Sequence, residues 1–190
     1  RQRQMCIRDS DMICPDHGII WRKDPSRIIE AYAQWSRQEA EKKAVVIYDT
    51  MWNSTKAMAE AIAEGIAHQG VQVRPLHIRS SHRSDIMTEV LDAKAVIVGS
   101  PTLNNQMFPT VADTLCYMKG LKPLHKIGGA FGSYGWSGES VKLIKAELEA
   151  MQFDMIDPGV KIQYVPDADG LKACYAYGQE IGQAVEKACG

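Results

Sequence analysis

"VVIYDTMWNSTKAMAEAIAEGI", residues 45–66, passes from an apolar run through a short polar loop into a helical pattern. Four consecutive apolar residues, Val45 to Tyr48, suit a strand buried on both faces. Met58, Ala59, Ile62, Ala63 and Ile66 recur at the spacing of one helix face. Strand, loop, helix is a common way to build an anion site, because the first helical N–H groups have no partner within the helix. The loop between them, Asp49 to Thr55, contains no glycine and places Trp52 at its centre.

The same alternation continues outward from this unit. "VQVRPLHI" (71–78) reads as a second strand, with Pro75 marking an edge position. Ser84 is placed to cap a helix carrying Ile86, Met87, Val90 and Leu91. "KAVIVGS" (94–100) is a third strand, and Pro109 suits the first turn of the helix holding Val111, Leu115 and Met118. "KIGGAFGS" (126–133) is a fourth strand, followed by a helix from about Glu139 to Met151. "GVKIQYV" (159–165) is a fifth strand, and a last helix runs from about Asp167 to Ala188. Five strands joined by helical crossovers predict an α/β fold with a doubly wound, five-stranded parallel sheet of order 2-1-3-4-5, helices on both faces.

Residues 1–43 fall outside this alternation. Residues 1–11 have no periodicity and read as an unstructured or foreign leader. "DMICPDHGIIW" reads as a strand end and a turn. Asp24 and Pro25 open a short helix with Ile28, Ile29, Tyr32 and Trp35 on its apolar side. The charged stretch "SRQEAEKK" (36–43) reads as a linker. Residues 12–43 are expected to be the end of an upstream domain, and residues 44–190 the α/β domain.

Bulk properties narrow the function classes. Apolar content is 45%, charged content 24% and formal net charge −1, so no basic bias points to nucleic acid or an anionic membrane surface. No apolar run approaches the roughly 18 residues that a membrane-spanning helix needs. The five cysteines, at 6, 14, 116, 174 and 189, show no CxxC pair and read as reduced thiols in a cytoplasmic protein.

In an open parallel sheet, ligands bind beyond the carboxyl ends of the strands, where strand order reverses. Here that point lies between strands one and three, within reach of three loops. "DTMWNST" offers the hydroxyls of Thr50, Ser54 and Thr55, the Asn53 amide and the backbone N–H groups from Met51 through Trp52 to Thr55. It has neither the GxxxxGK[ST] nor the GxGxxG pattern, and so suits a terminal phosphate monoester. An ordinary cap by Asn53 or Ser54 is the competing explanation.

"SPTLNNQMFP" brings Pro101, Thr102, Leu103, Asn104 and Asn105, whose polar groups fit the edge of a flat heteroaromatic ring. Alternatively, its asparagines are turn residues in left-handed conformations. "GSYGWSG" brings Ser133, Tyr134, Gly135, Trp136 and Gly138; its aromatics offer a stacking face or pack beneath the loop. Phosphate, ring edge and ring face together describe a flavin mononucleotide (FMN) site.

The stretches "YDTMWNSTKAMAEAIAEG", "GSPTLNNQMFP" and "AFGSYGWSGES" resemble the flavodoxin family, and more closely the flavodoxin-like domain of flavodiiron proteins. The resemblance covers roughly residues 12–190. It implies an FMN-binding electron-transfer domain, fed by rubredoxin or a flavin reductase, which serves a di-iron site that reduces O2 or NO. It also implies a head-to-tail homodimer in which that di-iron site lies in the partner subunit. "CPDHGIIW" resembles the segment that closes the metallo-β-lactamase-like di-iron domain, where the histidine matching His17 is a metal ligand. The remaining ligand motifs are absent here, and one histidine cannot hold two irons. His17 is therefore expected to bind metal only in a full-length parent, of which this chain would be the C-terminal part.

Two other functions share this strand order. A stand-alone NAD(P)H:quinone reductase would take hydride from nicotinamide. A cofactor-free response-regulator-like domain would need an acidic cluster, for which Asp49 is the only obvious candidate.

Overall fold

The computed structural model describes residues 10–190. The expectation for the leader falls largely on residues 1–9, outside the described residues. The chain forms two compact units, one ending at Glu39 and one running from Ala40 to Gly190.

In the first unit, Ile13 and Trp21 pair backbone to backbone in an antiparallel bridge, closing the turn that holds His17. Helix α1 (Ser26–Ser36) follows, with Pro25 at its N-cap. None of its residues is buried within the unit, and Tyr32 and Trp35 are exposed despite the amphipathic pattern.

The second unit has the expected parallel sheet. Strand β1 (Glu41–Tyr48) lies between β2 (Gln72–His77) and β3 (Ala93–Gly99), and β6 (Ile127–Tyr134) pairs with β3 on its far side. The central strands are apolar without alternation because each face is covered. Ala44, Val46 and Tyr48 pack with α2 (Ser54–His68) and α6 (Ala168–Cys189). Val45 and Ile47 face the opposite way, towards α3 (Arg83–Asp92), α4 (Pro109–Leu121) and α5 (Glu139–Ala150). Burying Val, Ile and Leu side chains there contributes about 1.5–3 kcal/mol each.

Pro75 sits opposite Val46 on the edge strand β2, where a missing N–H costs no ladder bond on the open side. Helices α2 and α6 approach closely through glycines. A Cβ on Gly65 would come 2.1 Å from the Tyr175 carbonyl oxygen, and one on Gly178 would come 2.2 Å from that of Ile62.

Four local expectations change. The fifth strand is two pieces: β7 (Asp154–Met155) pairs with the start of β6, and β8 (Val160–Gln163) with its end. Pro158, without an N–H, and Gly159, at φ 77°, fall between them. Ser84 is not the cap of α3; His82 holds that position, and its Nδ1 accepts the Ser84 N–H at 3.2 Å. The stretch read as a linker gives its last three residues to β1, where Lys43 is buried beside Glu89 at 2.7 Å. The second site loop contains a hairpin, β4 (Thr102–Leu103) and β5 (Gln106–Met107), turned by Asn104 and Asn105 at φ 50° and 58°. Two left-handed residues in a two-residue hairpin loop is the geometry that asparagine tolerates best among non-glycine residues.

Among the described residues, no helix is long and apolar enough to cross a membrane, and Cys14, Cys116, Cys174 and Cys189 are free thiols.

Candidate functional site

The site grows from the end of β1. Asp49 is fully buried, and its backbone N–H donates to the Gly99 carbonyl on β3 at 3.3 Å. Its Oδ1 accepts the Thr50 N–H at 2.7 Å and faces His77 Nε2 at 3.3 Å; its Oδ2 accepts Arg79 Nε at 3.1 Å and the Thr110 hydroxyl. Burial alone would raise the carboxyl pKa. The hydrogen bonds from Thr110, Thr50 and Arg79, with the Arg79 charge, outweigh burial and hold the carboxyl below its ordinary range.

From Thr50 the chain turns into α2. Asn53 occupies the N-cap at φ 66° and makes no side-chain capping bond. A left-handed N-cap is unusual, since capping residues normally adopt extended backbone. The ordinary cap by Asn53 is therefore absent, and the helix's N-terminal N–H groups stand at the loop without it. Thr55 is buried, its hydroxyl 2.9 Å from that of Ser133 on β6, which ties the first and third loops together. The Thr50 hydroxyl is buried and has no hydrogen-bond partner among the described residues. An orphaned buried hydroxyl costs about 1–3 kcal/mol of desolvation unless a ligand or water meets it.

The second loop is fastened from below. The Ser100 hydroxyl accepts the Phe108 N–H and donates to the Pro101 carbonyl, each at 2.8 Å. The Thr102 hydroxyl donates to Ser140 at 2.9 Å, and the Ser140 hydroxyl donates to the Ser100 carbonyl at 3.1 Å. In the third loop, the Ser137 hydroxyl donates to Asn105 Oδ1 at 3.1 Å, joining that loop to the asparagine turn.

A cleft of about 320 Å³ opens where these loops meet. Met51, Trp52, Ser54, Pro101, Thr102, Ser133, Tyr134 and Gly135 line it, so all three loops contribute. The other candidates surround it differently. Thr50, half-buried, and Thr55, buried, lie outside that lining, Asn53 stands at the N-cap position, and Leu103, Asn104 and Asn105 form the hairpin tip. Gly138 is the N-cap of α5, where a Cβ would come 3.1 Å from the Tyr134 ring. Trp136 does not pack beneath its loop: it is 95% exposed. Trp52, on the cleft's rim, is 82% exposed.

Sequence reasoning missed Tyr164 and Val165, which close one side of the cleft. It read them as strand, but Tyr164 turns at φ 61° and is held by its N–H on the Tyr134 carbonyl at 2.7 Å. The Asp49 partners His77, Arg79 and Thr110 were missed too, because their convergence depends on strand order rather than sequence spacing.

His17 is exposed and lines a separate apolar hollow of about 860 Å³ within the first unit, with Trp21, Ile28 and Tyr32. No group of three or more His, Cys, Asp or Glu side chains able to hold a metal exists among the described residues. His17 therefore has no co-ligands there.

Comparison with known proteins agrees with this fold. The flavodoxin family model matches residues 46–178. A nitric oxide reductase of Moorella thermoacetica is 46% identical over 174 residues, which is 91% of this chain and 44% of that protein. The structure of rubredoxin oxygen:oxidoreductase from Desulfovibrio gigas superposes with a TM-score of 0.91 at 41% identity, covering 98% of this chain and 48% of that one. The flavodiiron protein from Giardia intestinalis gives 0.88 at 32% identity, covering 94% and 45%. The chain thus spans less than half the length of these relatives. It belongs to the flavodoxin family, and within it matches the C-terminal flavodoxin-like domain of flavodiiron proteins.

Proposed function

We propose that this chain binds FMN at the carboxyl ends of β1, β3 and β6, and serves as the electron-transfer domain of a flavodiiron-type O2 or NO reductase. One observation carries the reading: the buried, unpartnered Thr50 hydroxyl beside the start of α2, whose N-cap side chain makes no capping bond. This donor set fits a phosphate monoester, which can accept a hydroxyl, helix N-terminal N–H groups and the favourable end of the helix dipole together. Thr50, Ser54 and Thr55, with the backbone from Met51 to Thr55, would hold the phosphate. Residues 101–105 would meet the ring edge, and Trp136 with Tyr134 would cover a ring face.

FMN supplies the redox chemistry, and the protein binds, orients and shields it. Among the described residues, the cleft lining contains no carboxylate, imidazole, lysine or arginine. Nothing there needs to act as acid, base or nucleophile, which supports electron transfer over group transfer. Rubredoxin or a flavin reductase would be the donor. The acceptor would be a di-iron centre in the full-length parent, reached across a head-to-tail homodimer. His17 would be one ligand of that centre, supplied from residues 12–43 as the end of the di-iron domain. The free cysteines support a cytoplasmic setting.

The test is anaerobic. FMN-loaded chain mixed with reduced rubredoxin at about micromolar concentration should bleach its flavin absorbance near about 450 nm on the order of seconds, the scale of protein-to-protein encounter, and NADH or NADPH alone should not. Rapid bleaching by NAD(P)H with stoichiometric quinone reduction would instead establish a stand-alone reductase.

A further inference from the structure

We propose that Asp49 is a positioning residue which holds the Thr50 hydroxyl ready for the ligand's phosphate. The proposal rests on the FMN reading above and deepens it. Asp49 is the first residue of the loop, and a carboxylate so close to an anion site would repel the ligand if its charge were free. It is not free. His77 approaches from the end of β2, Arg79 from the 3-10 turn that follows it (Ile78–Ser80), Thr110 from the first turn of α4, and Thr50 from the loop itself. Both carboxylate oxygens carry two of these contacts, and Asp49 has no exposed surface.

The geometry explains how a phosphate loop without glycine keeps its shape. Glycine-rich loops bring backbone N–H groups to an anion through torsions that other residues avoid. Here the Thr50 N–H is spent on Asp49 at 2.7 Å, which fixes the Thr50 peptide while its hydroxyl stays buried without a partner. The carboxylate is in turn fixed by three elements that do not belong to the loop. Arg79 is steadied further by its guanidinium over the Phe108 ring at 5.2 Å, and His77 by stacking on Tyr48 at 5.4 Å between ring centres. The loop's rigidity thus comes from the buried anion at its first residue, not from glycine torsions.

A double-mutant cycle on the 190-residue chain tests this, with FMN affinity read by fluorescence quenching and stability read separately by urea unfolding. Asp49→Asn should weaken FMN binding by about tenfold, the scale of one hydrogen bond to a charged group. In a Thr50→Val background, where the hydroxyl is gone, the same substitution should change FMN affinity by less than about twofold, because the two residues act through one contact. Equal losses in both backgrounds would overturn the proposal and leave Asp49 a merely structural residue, as would unchanged affinity in Asp49→Asn. Should Asp49→Asn not fold, Thr110→Val, which removes one carboxylate donor at constant size, takes its place in the cycle with the same expected pattern. Wild-type chain that takes no FMN would remove the reading beneath the proposal, an outcome distinct from wild-type binding with an additive cycle.

Discussion

Replacing Gly178 with alanine asks whether the glycine contact between α2 and α6 fixes the helix that starts at the site. The new Cβ would stand 2.2 Å from the Ile62 carbonyl oxygen, 3.0 Å from its carbon and 3.1 Å from Gly65 Cα. Ordinary contact begins near 3.4 Å, so the helix axes must part by about 1.2 Å. The obstacle is backbone, and no rotamer change relieves it. Overpacking of this kind costs about 1–3 kcal/mol, and a gap of about an ångström also forfeits a quarter to a half of each dispersion contact across the interface. Alanine's helix propensity returns up to about 1 kcal/mol. The expected net loss is about 2 kcal/mol, or a fall in Tm of roughly 4–8 °C for a unit of this size. Gly120→Ala on α4 is the matched control, because nothing lies within 4 Å of its Cβ position. There propensity acts alone, and stability should rise by a few tenths to about 1 kcal/mol. Urea unfolding with unchanged m-values reads both. Equal shifts for the two variants, or a stabilised Gly178→Ala, would refute the packing argument.

Further predictions concern the site and the base of the sheet. Trp136→Ala should leave urea stability within about 0.5 kcal/mol, since the ring is 95% exposed, yet weaken FMN binding by up to about tenfold through lost stacking. Thr55→Val should cost about 1–3 kcal/mol by stranding the buried Ser133 hydroxyl, and adding Ser133→Ala should recover part of that loss. Lys126 is buried, and its Nζ donates to the Leu91 and Ala93 carbonyls at 2.8 and 2.7 Å. Burial lowers its pKa to about 8, with Asp92 opposing the shift and Lys94 and Lys43 adding to it. The unfolded chain therefore holds more protons than the folded one between about pH 8 and the ordinary lysine value of 10.5. This group's contribution to stability rises with pH across that window, so the wild-type-minus-Lys126→Met difference in urea midpoint should rise from about pH 8 to 10.5.

The sheet was legible because periodicity reports burial directly. Ala44 to Tyr48 and Ala95 to Val98 read as continuous apolar runs, and both are buried on two faces. The three loops were legible because strand order brings their ends to one place whatever their own conformation. What stayed hidden depends on contacts between residues far apart in the chain. Thr110 lies 61 residues from Asp49, and Arg79 lies 30 away. Tyr164 looked like strand because Tyr and Val favour strands, and only the bond to the Tyr134 carbonyl turns it into the cleft wall. The hairpin at Asn104 and Asn105 was partly legible: the reading allowed left-handed asparagines but missed the flanking Thr102–Met107 pairing that a two-residue turn implies. Lys126 gave no signal, since a lysine at a strand's start ordinarily points to solvent.

The most direct test is titration of the purified chain with FMN, following flavin fluorescence. Quenching to a 1:1 endpoint is expected, with a Kd at or below about 10 μM, near about −7 kcal/mol. Thr50→Val should raise that Kd, because the ligand loses the hydroxyl that is otherwise without a partner. Unquenched fluorescence at tens of micromolar protein, or tight binding indifferent to Thr50, would contradict the FMN assignment.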